Sequence, residues 1–436
     1  MALKIETFSN ITGSSALFKA LGHPLARPGI ARLIERLAAK SAVALYDPNG
    51  FAATLAELAD LSAVRFAGAY VQDATQIGRD VGGLKAEPVT ALAGADVGAV
   101  LVAAFDAERA VSHIRHLVPA GAEVLSLDSA RLPSSMLTNP RVYLDPLNFA
   151  TNLVFFRDDD EGGGHHTRLV TANYWSGYGA KKTQLWCRLY GGDGKPLAEW
   201  SEDLAPGPCS VVIDSGEVRR RFGLKAFCGQ IFLHVVGAAG HDVVKYALDT
   251  YGDRPSTLSC THDTNAFPAD FYAGLPAPAA GERVVLWVQN AHPIPIPPLA
   301  IGLNRMGNVK VMWFEDDVPP FGTVAVDAGL LLPALSWPDQ IEIRSGRHIV
   351  RPRYEVLGPR ESRMAHANVE RTDLKPDPHL PELGNLFGRG FILPAPVLSR
   401  KRYQTLVQPT TMATSQAELP LQLAVIDHEG REVARR

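Results

Sequence analysis

The chain has 436 residues, of which 46% are hydrophobic, 20% charged and 8% aromatic. That composition excludes a disordered or fibrous chain and predicts roughly two to four domains. Lys plus Arg is 43 and Asp plus Glu is 46, a formal net charge of -3. This balance argues against a general nucleic-acid binder, which would usually show a basic stripe, and no apolar run reaches the about eighteen residues of a membrane span.

Met1 to Asn10 carries Lys4 and Glu6 without an apolar run, so no secretory leader is expected and the cytoplasm is the expected compartment. Residues 14–40 predict helix, interrupted at Pro24 and Pro28. Ala42 to Tyr46, Val64 to Val71, Val97 to Ala104 and Ala122 to Leu127 predict short buried strands. Helices are expected at Phe51–Leu61 and Asp106–Leu117. Strands alternating with helices at this spacing predict a doubly wound parallel sheet over residues 1–150. The acidic run Asp158 to Glu161, followed by Gly162 to Gly164 and His165-His166, suggests a linker over 151–166.

Beyond it the texture is all β, with a hairpin turn at Gly191-Gly192-Asp193-Gly194. This region repeats itself. Asn173, Val211-Val212-Ile213-Asp214, Gln230, Tyr246 and His262 recur as Asn290, Val324-Ala325-Val326-Asp327, Gln340, Tyr354 and His366. Two antiparallel β-sandwich modules are expected, at 167–278 and 279–390. A partial third at 391–436 ends in a hairpin around Asp427-His428-Glu429-Gly430. Half a sandwich cannot bury its inner face, so this hairpin is expected to add to an earlier sheet or to a second copy in a homo-oligomer.

Four sets of residues could carry chemistry. The first is the turn after the first strand, Asn49, Gly50 and Phe51, with Asp73 after the second strand at the spacing of a ribose-binding acid. Only one glycine is present there, and Asp47 beside it opposes a phosphate. The second set is His262 and Asp263 with His166, acid–base or metal-ligating types that would serve an enzyme at a cleft between the α/β domain and the first sandwich. The competing reading is a structural hydrogen bond repeated in each module. The third is aromatic: Tyr174, Trp175 and Tyr178, beside Asn173, either stack on sugar rings or plug the end of the sandwich. The fourth is the polyproline-like stretch 291–298, a docking rail or a rigid crossover. Cys187, Cys209, Cys228 and Cys260 form no CxxC pair and read as structural thiols. GxSxG, P-loop and HExxH motifs are absent, and no cofactor is specified.

Val43 to Leu127 resembles the N-terminal nucleotide-sugar-binding domain of PglD-type sugar acyltransferases. The shared features are the short first strand, the Gly50-Phe51 turn, Gly68-Ala69-Tyr70-Val71-Gln72-Asp73, Pro88-Val89 and Val100 to Ala104. The first turn departs from the family's glycine-rich pattern, and no hexapeptide-repeat β-helix follows. The resemblance implies the α/β fold and a nucleotide-sugar link, not acyl transfer. The expectation is a multidomain binding or assembly protein for a nucleotide sugar or glycan intermediate. An enzyme acting on a sugar-type substrate and a self-associating structural protein are the alternatives.

Overall fold

Consecutive residues of strand β1 (Val43–Asp47) belong to different cores. Val43 and Leu45 pack against the helices of one face, and Ala44 and Tyr46 against those of the other. Residues on a strand alternate between faces, so an unbroken apolar run demands cover on both sides. The computed structural model describes residues 15–160, 164–253, 257–263, 268–359, 362–370, 395–410 and 422–436. The opening residues 1–10 and the linker residues Glu161 to Gly163 lie outside them.

Around β1 are β2 (Phe66–Val71), β3 (Asp80–Val81), β4 (Leu84–Pro88), β5 (Ala99–Val102) and β6 (Glu123–Ser126), in the order β3-β4-β2-β1-β5-β6. β1, β2, β4, β5 and β6 run parallel. Antiparallel β3 closes one edge through a hairpin at Gly82 and Gly83 that was not expected from the sequence. The helices are α1 (Ser15–Gly22), α2 (Arg27–Ala38), α3 (Ala52–Leu58) and α4 (Glu108–Ile114). Pro28 sits in the first turn of α2, where its missing N–H costs no hydrogen bond. α1 is buried all round from Ala16 to Leu21, and Lys19 is paired with Asp242. A helix apolar on every side needs a second surface to cover it. Trp186, Tyr190 and Phe232 from the following β region supply that surface.

The β region is a duplication in its pairing as well as its sequence. The first set comprises β7 (Ala150–Asp159), β8 (His165–Ala172), β9 (Gln184–Gly191), β10 (Pro196–Asp203), β11 (Ser210–Asp214), α5 (Ser215–Phe222), β12 (Phe227–Val236), β13 (Tyr246–Tyr251) and β14 (Ser259–Asp263). The second comprises β15 (Phe271–Pro276), β16 (Arg283–Gln289), β17 (Gly302–Arg305), β18 (Met312–Trp313), β19 (Thr323–Asp327), α6 (Ala328–Leu331), β20 (Gln340–Arg344), β21 (Arg353–Leu357) and β22 (Ser362–His366). The first set forms one eight-stranded sheet, in which β10-β9-β12-β7 is joined by a short β7–β8 ladder to β8-β13-β14, with β11 also on β8. The second pairs as β18-β17-β20-β15 and β19-β16-β21-β22, with β23 (Asn368–Val369) added beside β15. In each set the two groups of strands contribute to one core, the arrangement of a sandwich. Asp214 and Asp327 end matching strands and cap the helices that follow.

Three boundary expectations are corrected: β15 pairs with β20, so the second repeat begins at Phe271 and not at residue 279. The stretch 151–166 is no linker. β7 pairs with β12 from Ala150 to Asp158, and Asp158 and Asp159 close a ladder with His166 and His165. The acidic run is held in place because Asp158 finds partners in Ser215, His166 and Arg219. The first repeat therefore begins at β7, ahead of residue 167. At the other end, the hairpin of β24 (Ala424–Ile426) and β25 (Glu432–Arg435) pairs only with itself among the described residues and is exposed throughout. It adds to no earlier sheet among the described residues. No helix among the described residues is long and apolar enough to cross a membrane.

Candidate ligand crevice

β1 has β2 on one side and β5 on the other, so the chain changes direction across the sheet at β1. Open α/β sheets form their ligand crevice at such a switch point, outside the carboxyl ends of the strands. A crevice of about 570 Å³ opens there, lined by Asp47 to Phe51, Val71, Asp73, Phe105, Asp106, Val142 and Leu144 among others. An adjoining lobe of about 500 Å³ shares Pro48, Asn49, Asp73, Phe105 and Asp106, and adds Gln72, Arg109 and His113. Asn49, Gly50, Phe51 and Asp73, the expected ligand residues, all line the inner crevice.

Their roles differ. Gly50 turns the chain with φ 76°, and both it and Asn49 are exposed. Phe51 is buried in the hydrophobic core, and its N–H is already committed. The Asp47 carboxylate accepts from Phe51 N at 2.8 Å and Ala52 N at 3.1 Å. It thus occupies the start of α3, where a dinucleotide-binding fold would place pyrophosphate. Asp73 is exposed, accepts from Thr75 N and Thr75 Oγ1 at 2.8 Å, and is held below the usual carboxylate range by those bonds. It is a fixed, ionised acceptor. Buried Tyr46 donates to Gln72 Oε1 at 2.8 Å, leaving the amide nitrogen of Gln72 as its donor end.

Asp106 was not singled out in the sequence. It follows β5, has φ 50° although it is not glycine, and lines both lobes. Its carboxylate binds Arg131 and accepts from Tyr143 N at 2.9 Å. Its own N–H donates to Asp128. Arg109 and His113 were also missed. The available signal was their spacing of four on the helix that follows the strand flanking β1.

The acid–base candidates do not meet at a cleft with the α/β domain. His166 lies on β8 opposite Tyr251, whereas His262 lies on β14 opposite Ala247. The α/β layer packs instead on β9 and β12. His166, Asp158 and Ser215 are in contact, but the carboxylate sits between the other two. A nucleophile needs the imidazole in that middle position, and Ser215 is fully buried. Asp263 is buried against Arg351 and Arg353, and His262 stacks edge-on to His366 at 5.2 Å. Thr261 Oγ1 and His366 Nδ1 share a hydrogen bond of 2.6 Å. These residues join strands of the two sandwiches. Among the described residues no group of three or more His, Cys, Asp or Glu side chains is placed to hold a metal.

The aromatic loop plugs the end of the first sandwich. Trp175 is fully buried and donates its indole N–H to His241 O, and Tyr174 stacks on it and binds Val243 O. Asn173 is buried and donates to Ala205 O at 3.0 Å. Tyr178 alone of these four is exposed, with its hydroxyl on His241 Nε2. A sugar platform of stacked rings is therefore not formed. The stretch 291–298 is a crossover, because Ile296 bridges to Val318 and His292 is buried. Cys187 is buried between Leu185 and Leu189, as expected, whereas Cys260 is exposed.

No family model matches the chain, and no curated protein matches it. One solved structure with a weak likeness is a glycosyl hydrolase family 2 member from Bacteroides cellulosilyticus DSM 14838, 10% identical over 55% of this chain and 32% of that one, with a TM-score of 0.11. The chain spans about a third of that protein's length. A likeness at this level carries no argument about fold or function.

Proposed function

We propose that the protein is a binding or assembly protein whose α/β layer holds a polyhydroxylated ligand of the nucleotide-sugar or glycan-intermediate class, with the paired sandwiches as its scaffold. The observation that carries this reading is the crevice at the switch point of the parallel sheet. Asp73 and Gln72 offer an ionised acceptor and an amide donor for hydroxyl groups, and Val71, Phe105, Val142 and Leu144 offer apolar wall for a ring. His166 and Asp263 are engaged in hydrogen bonds and ion pairs and His262 packs edge-on to His366, so the reading is of binding rather than turnover.

A thermal-shift series with nucleosides, nucleotides and nucleotide sugars tests it. A ligand at about 100 times its Kd should stabilise the protein by about 2.7 kcal/mol, and Asp73→Ala should reduce the shift. If none of these compounds raises the melting temperature, the reading fails. A second reading, self-association by strand addition, is favoured by the exposed Val425, Ile426 and Val433 of the C-terminal hairpin. Deleting residues 422–436 should lower the mass seen by light scattering if that reading holds, and leave it unchanged if it does not.

A further inference from the structure

We propose that the outer lobe of the crevice is a phosphate-monoester subsite, in which Arg109 and His113 hold the phosphate while Asn49, Gln72 and Asp73 hold the hydroxyls of the sugar or nucleoside that carries it. The inference rests on the crevice reading above and narrows its ligand class to a sugar or nucleoside monophosphate, setting aside diphosphate-linked nucleotide sugars.

The inner crevice repels phosphate. Its charged lining residues are Asp47, Asp73 and Asp106, with no Lys or Arg among them. The start of α3 is closed to an anion because the Asp47 carboxylate already accepts the N–H groups of Phe51 and Ala52. A phosphate placed there would displace a covalently tethered carboxylate and face its charge at close range.

The outer lobe shares Asp73 and Asp106 with the inner crevice but adds the cation Arg109 and the imidazole of His113. Arg109 and His113 lie one helical turn apart on α4, so their side chains share a face, and both are exposed and line the lobe. Arg109 forms no ion pair among the described residues; Glu108 beside it in sequence does not line the lobe, and Asp106, which does, is occupied. Asp106 is held by Arg131 and Tyr143 N, and Asp128 by the N–H groups of Asp106 and Ala107 together with Arg131. The guanidinium charge is therefore available to a ligand, and a guanidinium binds two oxygens of one phosphate side by side. Asp73 and Asp106 follow along the wall shared by the two lobes, so a second phosphate in line with the first would meet carboxylates. A monoester suits this lining and a diphosphate does not. The ligand then lies reversed relative to a dinucleotide fold, with its anion over α4 and its hydroxyls toward β2.

Calorimetric titration of the full chain at low ionic strength tests the inference. The probes are uridine, uridine 5′-monophosphate, glucose 1-phosphate, UDP-glucose and inorganic phosphate. Uridine 5′-monophosphate should bind about tenfold more tightly than uridine, from one charge-assisted contact. Arg109→Ala should bring its affinity down to that of uridine, and Arg109→Lys should keep part of the gain. Arg109 is a surface residue, so both variants should fold. Glucose 1-phosphate binding as tightly as the nucleotide would assign recognition to the phosphate and a sugar. The inference is overturned, with the crevice reading intact, if uridine and its monophosphate bind equally, if the gain survives Arg109→Ala, or if UDP-glucose binds more tightly than both monoesters. Binding of inorganic phosphate that Arg109→Ala leaves unaltered also overturns it. Failure of every probe overturns both readings.

Discussion

The contact between the α/β layer and the first sandwich should weaken in acid because of two buried histidines. His23 follows α1 and His234 lies on β12, both with no solvent exposure. Leu25 N donates to His23 Nδ1 at 3.1 Å, so the proton of His23 is on Nε2 and is donated to His234 Nδ1 at 3.0 Å. Trp186 stacks on His23, and Phe232 meets it edge-on. The charges nearby are Lys19 with its partner Asp242, and Arg188. Neither ring can accept a second proton without turning an acceptor nitrogen toward an N–H. Burial accordingly lowers the pKa of His234 from 6.5 to about 4, and lowers that of His23 in the same direction. The unfolded chain takes up a proton at His234 as the pH falls through 6.5, and the folded chain only near 4. Between these values the unfolded state holds more protons, so stability falls as the pH falls. Going from pH 8 to pH 5, His234 alone should remove about 2 kcal/mol, and His23 should add to that loss. Urea unfolding at the two pH values, for the natural chain and for His23→Phe/His234→Leu, measures the difference. The double variant loses the hydrogen bond at both pH values, so the informative quantity is its pH dependence, which should shrink by at least about 2 kcal/mol. An unchanged dependence would refute the argument. Some sensitivity should remain, because burial also holds His292 at about 4 and His366 at about 3.

Asp47→Ala should destabilise the chain by about 1–2 kcal/mol through loss of the α3 cap, read as a lower urea midpoint; an unchanged midpoint would mean the carboxylate does not hold the turn. Asn290→Ala should cost roughly 2–4 kcal/mol, because its amide serves Ile294 O, Val318 O and Pro319 O and accepts from His292 N. Its counterpart Asn173→Ala removes only the bond to Ala205 O and should cost about 1 kcal/mol. Equal losses would show that the repeated asparagines do not work through these carbonyls. Gly194→Ala should lower the melting temperature, since a Cβ there would lie 2.0 Å from Pro320 O and the φ of 73° strains any L side chain; a neutral result would mean that the β9–β10 turn does not touch the second sandwich.

The sequence was informative wherever a local pattern had one physical solution. Val43 to Tyr46 and Val100 to Val102 could only be strands covered on both faces, which fixes the layer and the crevice at its strand ends. The Asp214 and Asp327 steps announced the duplication because a β-run ending in Asp-x-Gly caps a short helix in both copies. The acidic run at 158–161 misled because charge beside glycine has the composition of a linker. What holds Asp158 is Arg219, sixty-one residues away in the chain, together with Ser215. Pairings of that range leave no trace in a local pattern. The same holds for the aromatic loop: Trp175 is buried by the 241–245 segment, and nothing near it in sequence shows that this segment arrives.

These failures share a physical basis that bears on where chemistry can occur in the molecule. A sandwich of polar-rich strands must find partners for most of the polar groups that it buries. In the duplicated region the conspicuous side chains are used in that way. Gln230 donates to Asn290 O across the joint between sandwiches, and Gln340 donates to Pro409 O, so the second copy receives the following segment through the same kind of contact. The crevice differs because its lining includes polar groups at strand ends, where the ladder stops and the backbone no longer claims them. Phe105 on its wall packs on Tyr143 at 4.4 Å, and Tyr143 packs on Phe149, immediately before β7. Val142 and Leu144 also line the crevice, so the wall that a ligand would touch is the segment that enters the first sandwich. The scaffold and the site are thus mechanically continuous, and a ligand held between Arg109 and Asp73 would bear directly on the connection between the two halves of the protein.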